Sequence, residues 1–230
     1  PWQSGATGDE QSQVVHLNPL TNTWDPDYSS LQRHVSLAVA YNVIMYDRIS
    51  GDHTFLVQYG LEMLQEIAQF WLSKAHRNAP DQRYTIDQVM GPDEFHENYP
   101  NAHSRGLANN AYTNLMVAWL FRELKVLRQQ CQPDQLAAID QKTGVTPQIL
   151  DQFADVAQHL KLDINEDGII GQFAGYFKLP QLDFQKYRQK YGDISRMDRI
   201  LKAEGKTPDA YQVAKQADAL MIFYNLDVPQ

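Results

Sequence analysis

The stretch "SSLQRHVSLAVAYNVIMYDRISGDHTFLVQYGLEMLQEIAQFWLSK", residues 29–74, decides the fold class. Leu31, Val35, Ala38, Met45 and Ile49 return at helical spacing, and Leu56, Met63, Ile67, Phe70 and Trp71 make a second stripe of the same period. Ser29 followed by Gln32 has the form of a capping box, in which side chain and backbone satisfy each other's orphan amides. Gly51 supplies a stop, because glycine enters the left-handed region at a helix end without steric cost. A connection this short makes the two helices antiparallel neighbours. Apolar residues lie almost all round the first of them, so deep burial is expected.

The same signals continue along the chain. A third helix is predicted from about Asn110 to Cys131, carrying Met116, Leu120, Leu124 and Leu127. Thr146-Pro147 opens another, lined by Ile149, Phe153 and Val156, since Thr caps well and Pro suits the first helical position. Thr207-Pro208 repeats this opening before a final helix with Val213, Ala217, Leu220 and Tyr224. Short helices are expected around Leu182 and Ile194, and "RYTID" (83–87) reads as a short strand or extended arm. Trp71 and Trp119 fall on helical stripes and belong to the core. No fixed-period consensus marks a repeat array. The reading is all-α, an assembly of helical hairpins.

At 230 residues, 43% hydrophobic and 21% charged, the chain suits one globular domain or a large piece of a bigger protein. Its net charge of −8 argues against nucleic-acid and anionic-membrane partners. Cys131 stands alone, which excludes an intramolecular disulfide. With no signal-like N-terminus, this points to the cytoplasm. No apolar run reaches the roughly 18 residues of a membrane span; "VSLAVAYNVIMY" is broken by Asn42. The chain opens "PWQSG" without an initiator Met, as a fragment of a longer protein would.

Chemistry concentrates in "VMGPDEFHENYPNAHSRGLANNAYTNLM", residues 89–116. Gly91-Pro92 forces a turn. Asp93, Glu94 and Glu97 follow within five residues, beside His96 and among Met90 and Phe95. Crowded carboxyls near apolar groups should have at least one pKa raised, which is how an acid keeps a proton to deliver to a leaving group. The alternative is structural, with Asp93 and Glu94 in the first turn of a helix, favouring its dipole. "HENYP" starts like HExxH but has Pro100 where the second histidine must stand, so the zinc-protease motif fails. "DINEDG", from Asp163, matches the start of a calcium loop but has Ala174 in place of the closing carboxylate, so a turn rich in Asx residues is the better reading. In "VAKQADALM", Lys215 and Asp218 read as an i,i+3 surface pair, the alternative being that Lys215 and Gln216 point into a polar cavity. Trp2, in a Gly- and Ser-rich turn, can stack a sugar ring or anchor a loop. Cys131 has no nucleophile motif around it, and no phosphate-binding glycine loop is present.

"GPDEFHEN…NNAYTN" (Gly91 to Asn114) closely resembles the acid-bearing motif of glycoside hydrolase family 65, the maltose, trehalose and kojibiose phosphorylases and related inverting α-glucoside hydrolases. "PWQSGATGDEQ" at Pro1, "GIIGQFAGYFKL" from Gly168 and "YQVAKQADALMIFY" at Tyr211 resemble further blocks of that family, so the likeness spans nearly the whole chain. The resemblance implies an (α/α)6 barrel of antiparallel helix pairs. Residues 1–230 would be its central catalytic domain, without the N-terminal β-sandwich and the C-terminal end of the barrel. It makes Glu94 the general acid, with Asp93 and His96 flanking it. Lys215 and Gln216 hold the glucosyl unit, and Trp2 and Gln3 line the same pocket. It implies a small α-linked disaccharide as substrate and no metal or organic cofactor. Cleavage with inversion would use either inorganic phosphate as co-substrate or water activated by a carboxylate. A homodimer is compatible with it. A reading of another class is a non-catalytic helical scaffold or sugar-binding module derived from the same barrel.

Overall fold

A computed structural model of the chain describes residues 4–100, 102 and 105–226. Eight α-helices run through them: α1 (Val35–Ser50), α2 (Leu61–Lys74), α3 (Ala111–Arg128), α4 (Pro133–Thr143), α5 (Pro147–His159), α6 (Phe184–Tyr191), α7 (Met197–Ala203) and α8 (Asp218–Asn225). Two small antiparallel ribbons accompany them. In one, β1 (Val15–Asn18) pairs β2 (Thr23–Pro26) with Val15 opposite Pro26; in the other, β3 (Ala75–Arg77) pairs β4 (Tyr84–Ile86) with Ala75 opposite Ile86.

The centre of the assembly is α3, which packs against α1, α2, α5 and α8. Its expected stripe of Met116, Leu120, Leu124 and Leu127 is buried. Phe121 stacks on Phe153 of α5 with ring centroids 4.6 Å apart. The Thr146-Pro147 opening acts as read, and α3 has a cap that the sequence reading does not name. Asn110 caps α3 by accepting the Thr113 amide, and Thr146 caps α5 by accepting that of Ile149 with Pro147 behind it. Gly51 ends α1 at φ 64°, returning its N–H to the Asp47 carbonyl. The "RYTID" arm is β4, and the short helices near Leu182 and Ile194 are α6 and α7.

Elsewhere the spacing misleads. The capping box at Ser29 does not form, because Asp27 Oδ1 takes both the amide and the hydroxyl of Ser29. Ser29–Leu31 is one 3-10 turn, and α1 begins only at Val35. Nor is α1 buried all round. Leu37, Ala40, Val43 and Ile44 face inward, while Val39, Tyr46 and Ile49 are exposed. On α2 the inner face is Leu61, Leu64, Ala68 and Trp71, with Met63 and Phe70 at its margin. Thr207-Pro208 opens a single 3-10 turn, Pro208–Ala210, and the final helix waits until Asp218. The intervening amides are claimed from outside: Gln212 N–H donates to the Pro180 carbonyl, and those of Lys215 and Gln216 donate to Asp93. A helical ladder cannot run through them. The helix α4 has no counterpart in the sequence reading. It is mostly exposed, and a capping box between Gln132 and Gln135 with Pro133 starts it.

Two apolar cores result. The larger joins α1, α2, α3, α5 and α8; the smaller gathers Leu182, Tyr187, Met197, Leu201 and Val213 with Phe95 from the polar stretch. Val89 belongs to the first core and Phe95 to the second, so residues 89–95 bridge them. Among the described residues no helix is long and apolar enough to cross a membrane. Leu120 is wholly buried on the central helix. Leu120→Ala should therefore cost about 2–5 kcal/mol of unfolding free energy, measured by urea denaturation; a change within about 0.5 kcal/mol would mean that α3 is not the centre of the core.

Candidate active site

Residues 91–98 form no helix, so the first-turn reading of Asp93 and Glu94 does not hold. The turn is secured at its start by Met90, whose amide donates to the Leu31 carbonyl at 3.0 Å and whose carbonyl meets His34 Nδ1 at 3.3 Å. At Gly91 there is no room for a Cβ, which would overlap Asp218 Oδ2 and Asn110 Nδ2. Those two groups are hydrogen-bonded to each other at 2.9 Å. The glycine thus lets the chain pass directly over the start of α3 and the start of α8.

Asp93 then turns inward. Its Oδ1 accepts the amides of Phe95 (3.2 Å), Lys215 (2.9 Å) and Gln216 (3.3 Å), and its Oδ2 lies 3.0 Å from His96 Nδ1. His96 Nε2 donates to the Tyr211 carbonyl at 3.0 Å. Both ring nitrogens face acceptors, so the imidazole is held doubly protonated. Burial works against that charge, but the Asp93 carboxylate and the Tyr211 carbonyl outweigh it, and the His96 pKa is raised. Both side chains are 2% exposed and neither lines the cavity described next. Asp93 and His96, expected to contact substrate, are instead buried behind the cavity wall.

Glu94 points the other way. Its Oε2 accepts a hydrogen bond from Lys215 Nζ at 2.6 Å and its Oε1 one from Gln216 Nε2 at 3.1 Å, while its own amide donates to Gln216 Oε1 at 3.3 Å. The Lys215–Asp218 surface pair is therefore not made; Lys215 meets Glu94, and Asp218 is buried on Asn110. The three side chains Glu94, Lys215 and Gln216 line a cavity of ≈ 1110 Å³, as large as or larger than common small-molecule sites of roughly 300–1,000 Å³. Its other walls come from the β1–β2 ribbon, from α7 and the turn after it, and from Phe95, Glu97 and Asn98. Trp2 and Gln3 lie outside the described residues.

Asn109, Asn110 and Asn114 of the stretch are structural. Asn110 Oδ1 caps α3, and its Nδ2 donates to Asp218 and to the Gln172 carbonyl. Asn109 Oδ1 accepts from Ile86 N–H and from Asn114 Nδ2, which also reaches the Lys161 carbonyl. The block from Gly168 supports the site from behind, with Phe173 packed on His96 at 4.9 Å between ring centroids. The turn at Asp163 uses its own side chains: Asn165 Oδ1 accepts the amides of Asp167 and Ile169, and Asp163 Oδ2 accepts that of Gly175. It is an Asx-rich turn.

A raised carboxyl does occur in this stretch, at Glu97. Burial first, then the charges of Asp209, Asp27, Asp25 and Glu94, push it up to about 8. Burial also raises Asp209, which accepts the Glu97 amide at 2.9 Å, and takes Asp218 up to about 7. In the cavity wall, burial lowers His34 to about 4 and keeps it neutral. Asp209 and the supporting Phe173 were missed by the sequence reading. The signal at Asp209 is Thr207-Pro208-Asp209, which reads as a helix opening, and Phe173 lies inside the block from Gly168.

The family model for the glycosyl hydrolase family 65 central catalytic domain matches residues 1–229. The chain is 49% identical over 226 residues to a trehalose 6-phosphate phosphorylase of Lactococcus lactis, covering 98% of this chain and 28% of that protein. It is 30% identical over 230 residues to a kojibiose phosphorylase of Caldanaerobacter subterraneus, covering 96% and 28%. Among solved structures, "Putative kojibiose phosphorylase from human microbiome" superposes with a TM-score of 0.66 at 27% identity, over 83% of this chain and 25% of that one. The chain thus spans 28% of the length of these two curated relatives.

The buried carboxyl at Asp218 sets a pH dependence. Unfolded, it ionises near the ordinary aspartate value of about 4; folded, it keeps its proton up to about 7. Between those values the unfolded chain binds fewer protons, so this group's contribution to stability falls as pH rises. In the full-length protein, the melting temperature of Asp218→Asn relative to wild type should therefore climb between about pH 4 and about pH 7 and level off above that. A difference that stays constant across that range would contradict the assignment.

Proposed function

The chain belongs to glycosyl hydrolase family 65, whose catalytic domain is an (α/α)6 barrel, and from that premise we propose that its protein cleaves the α-glucosidic bond of a disaccharide by inverting phosphorolysis, with Glu94 as general acid. The observation that carries the proposal is the seating of the Glu94 carboxyl between Lys215 Nζ and the Gln216 carboxamide at the wall of the large cavity. A half-exposed carboxyl, 51% open on its side chain, can reach a bound sugar, and the lysine and carboxamide beside it are donors suited to sugar hydroxyls.

In the proposed reaction, Lys215 and Gln216 hold the glucosyl unit, to which the family resemblance also assigns Trp2 and Gln3. As Lys215 turns to the glucosyl hydroxyls, Glu94 Oε2 is left facing the bridging oxygen. Protonation of that oxygen by Glu94 lets the bond to the anomeric carbon break as phosphate attacks from the opposite face, so the configuration inverts. Direct attack by phosphate needs no carboxylate base. Asp93 and His96 take no part in bond making; they fix the backbone on either side of Glu94. The phosphorylase names of the relatives favour phosphate over water as second reactant. Its binding groups are expected C-terminal to the block at Tyr211. Residues 1–230 are then part of a barrel that the whole protein completes.

The test uses the full-length protein with trehalose, trehalose 6-phosphate, kojibiose, maltose and nigerose, each with and without phosphate. Release of glucose 1-phosphate only when phosphate is present is the expected result; free glucose alone would mean a hydrolase, and no product from any of them would mean a scaffold. On the substrate found, Glu94→Gln should lower turnover by about 10²–10⁴-fold with little change in KM. Near-normal turnover on an unactivated disaccharide would remove Glu94 from the acid's role.

A further inference from the structure

Two carboxyls of the polar loop line the cavity, and only one of them has a part in the reaction proposed above. Of residues 93–97, Asp93 and His96 are tied inward and Phe95 lies in the smaller core, which leaves Glu94 and Glu97 as the carboxyls at the cavity wall. The backbone at Glu97 is fixed, since its amide donates to Asp209 Oδ1 at 2.9 Å. Its carboxyl is not. Among the described residues the side chain makes no hydrogen bond and meets no cation.

The groups around it explain why. Asp209, Asp27, Asp25 and Glu94 are its charged neighbours. The basic groups of this wall already have partners: Lys202 meets Asp25, His16 meets Asp27, Lys215 meets Glu94, Arg196 meets Asp198 and Lys206 meets Glu204, while His96 behind it meets Asp93. A carboxyl in such surroundings holds its proton at neutral pH, consistent with the upward push to about 8. A neutral carboxyl carries one O–H donor and one carbonyl acceptor side by side. Facing a cavity with neither engaged, it matches adjacent hydroxyls on a sugar ring, which offer one donor and one acceptor in turn.

The two carboxyls line the same cavity but have different partners. Glu94 is bonded to Lys215 and Gln216, whereas the neighbours of Glu97 other than Glu94 are on or beside the β1–β2 ribbon and in the turn after α7. With the glucosyl unit on the Lys215 side and Glu94 at the bridging oxygen, the sugar on the Glu97 side is the leaving one. We propose that Glu97 is a substrate-contacting residue whose carboxyl hydrogen-bonds the hydroxyls of the leaving sugar and selects for it. This rests on the disaccharide-cleaving reading of the site.

The experiment compares two substrates on the full-length protein, each with phosphate: the disaccharide identified above, and α-glucosyl fluoride, which has no leaving sugar. Relative to wild type, Glu97→Ala should lower kcat/KM for the disaccharide by about tenfold or more beyond any loss on the fluoride, because a site built around a substrate hydroxyl is left unpaired. Glu97→Gln, which keeps a donor and an acceptor, should retain most of the disaccharide activity and guards against a folding defect. Equal losses on both substrates, or none on either, would overturn the assignment. A wild-type protein inert toward the fluoride and every disaccharide would instead remove the premise, and the inference with it.

Discussion

One buried carboxylate holds the site together. Asp93 accepts backbone amides from residues 215 and 216, which lie 122 and 123 positions further along the chain, and pairs with the ring of His96. A lone carboxylate at this depth would be costly to desolvate, and a buried ion pair survives only where hydrogen bonds satisfy what the partner charge does not. Here three amides and an imidazolium do so. The imidazolium is in turn fixed by the Tyr211 carbonyl, so both ends of the pair hold the 211–216 segment. The conformation of that segment, and the delayed start of α8, follow from Asp93 rather than from local preference.

The same constraint decides which way each residue of the polar loop faces. Asp93 is locked into the network and Phe95 into the smaller core, so the residue between them is turned toward the cavity. That residue is Glu94. Its partners Lys215 and Gln216 belong to the segment whose amides Asp93 holds, so backbone and side chains are positioned by one device. Rigid support of this kind is what a proton donor needs, because misplacement by a fraction of an ångström separates a productive contact from an idle one. Gly91 serves the same end: with no Cβ it lets Asp218 and Asn110 close beneath the turn.

What could be read from residues alone follows the range of the forces involved. The helices α3 and α5 were legible because the apolar stripe of each, and for α5 the Thr146 cap and the proline at its first turn, act within a few residues and agree. The start of α1 was not, because Asp27 competes for the donors of Ser29. The last helix was placed too early because its amides answer to an acceptor more than a hundred residues away. In the site, the motif blocks indicated Glu94, Lys215 and Gln216, and the coordinates bring those three together. They could not indicate that Asp93 and His96 face inward, since burial is a property of the assembled neighbours. Which of the crowded carboxyls is raised could not be read for the same reason: Glu97 owes its state first to burial and then to Asp209, Asp27 and Asp25, none of which adjoins it in sequence.

Three carboxyls, Glu97, Asp209 and Asp218, are raised mainly by burial, and all three lie around the cavity or directly beneath its loop. Each works against stability near neutral pH, because the unfolded chain would ionise it freely. A fold that only had to be stable would place apolar or paired groups there. The larger core is built that way, with aliphatic and aromatic side chains filling the space between its helices. The unfavourable groups are therefore not scattered; they collect where two cores meet, and Glu97 among them lines a cavity where a polar ligand could supply the hydrogen bonds its carboxyl leaves unmade. Strain of this kind persists only where the surrounding structure over-determines it. The Asp93–His96 pair and the two cores that flank the loop provide that support.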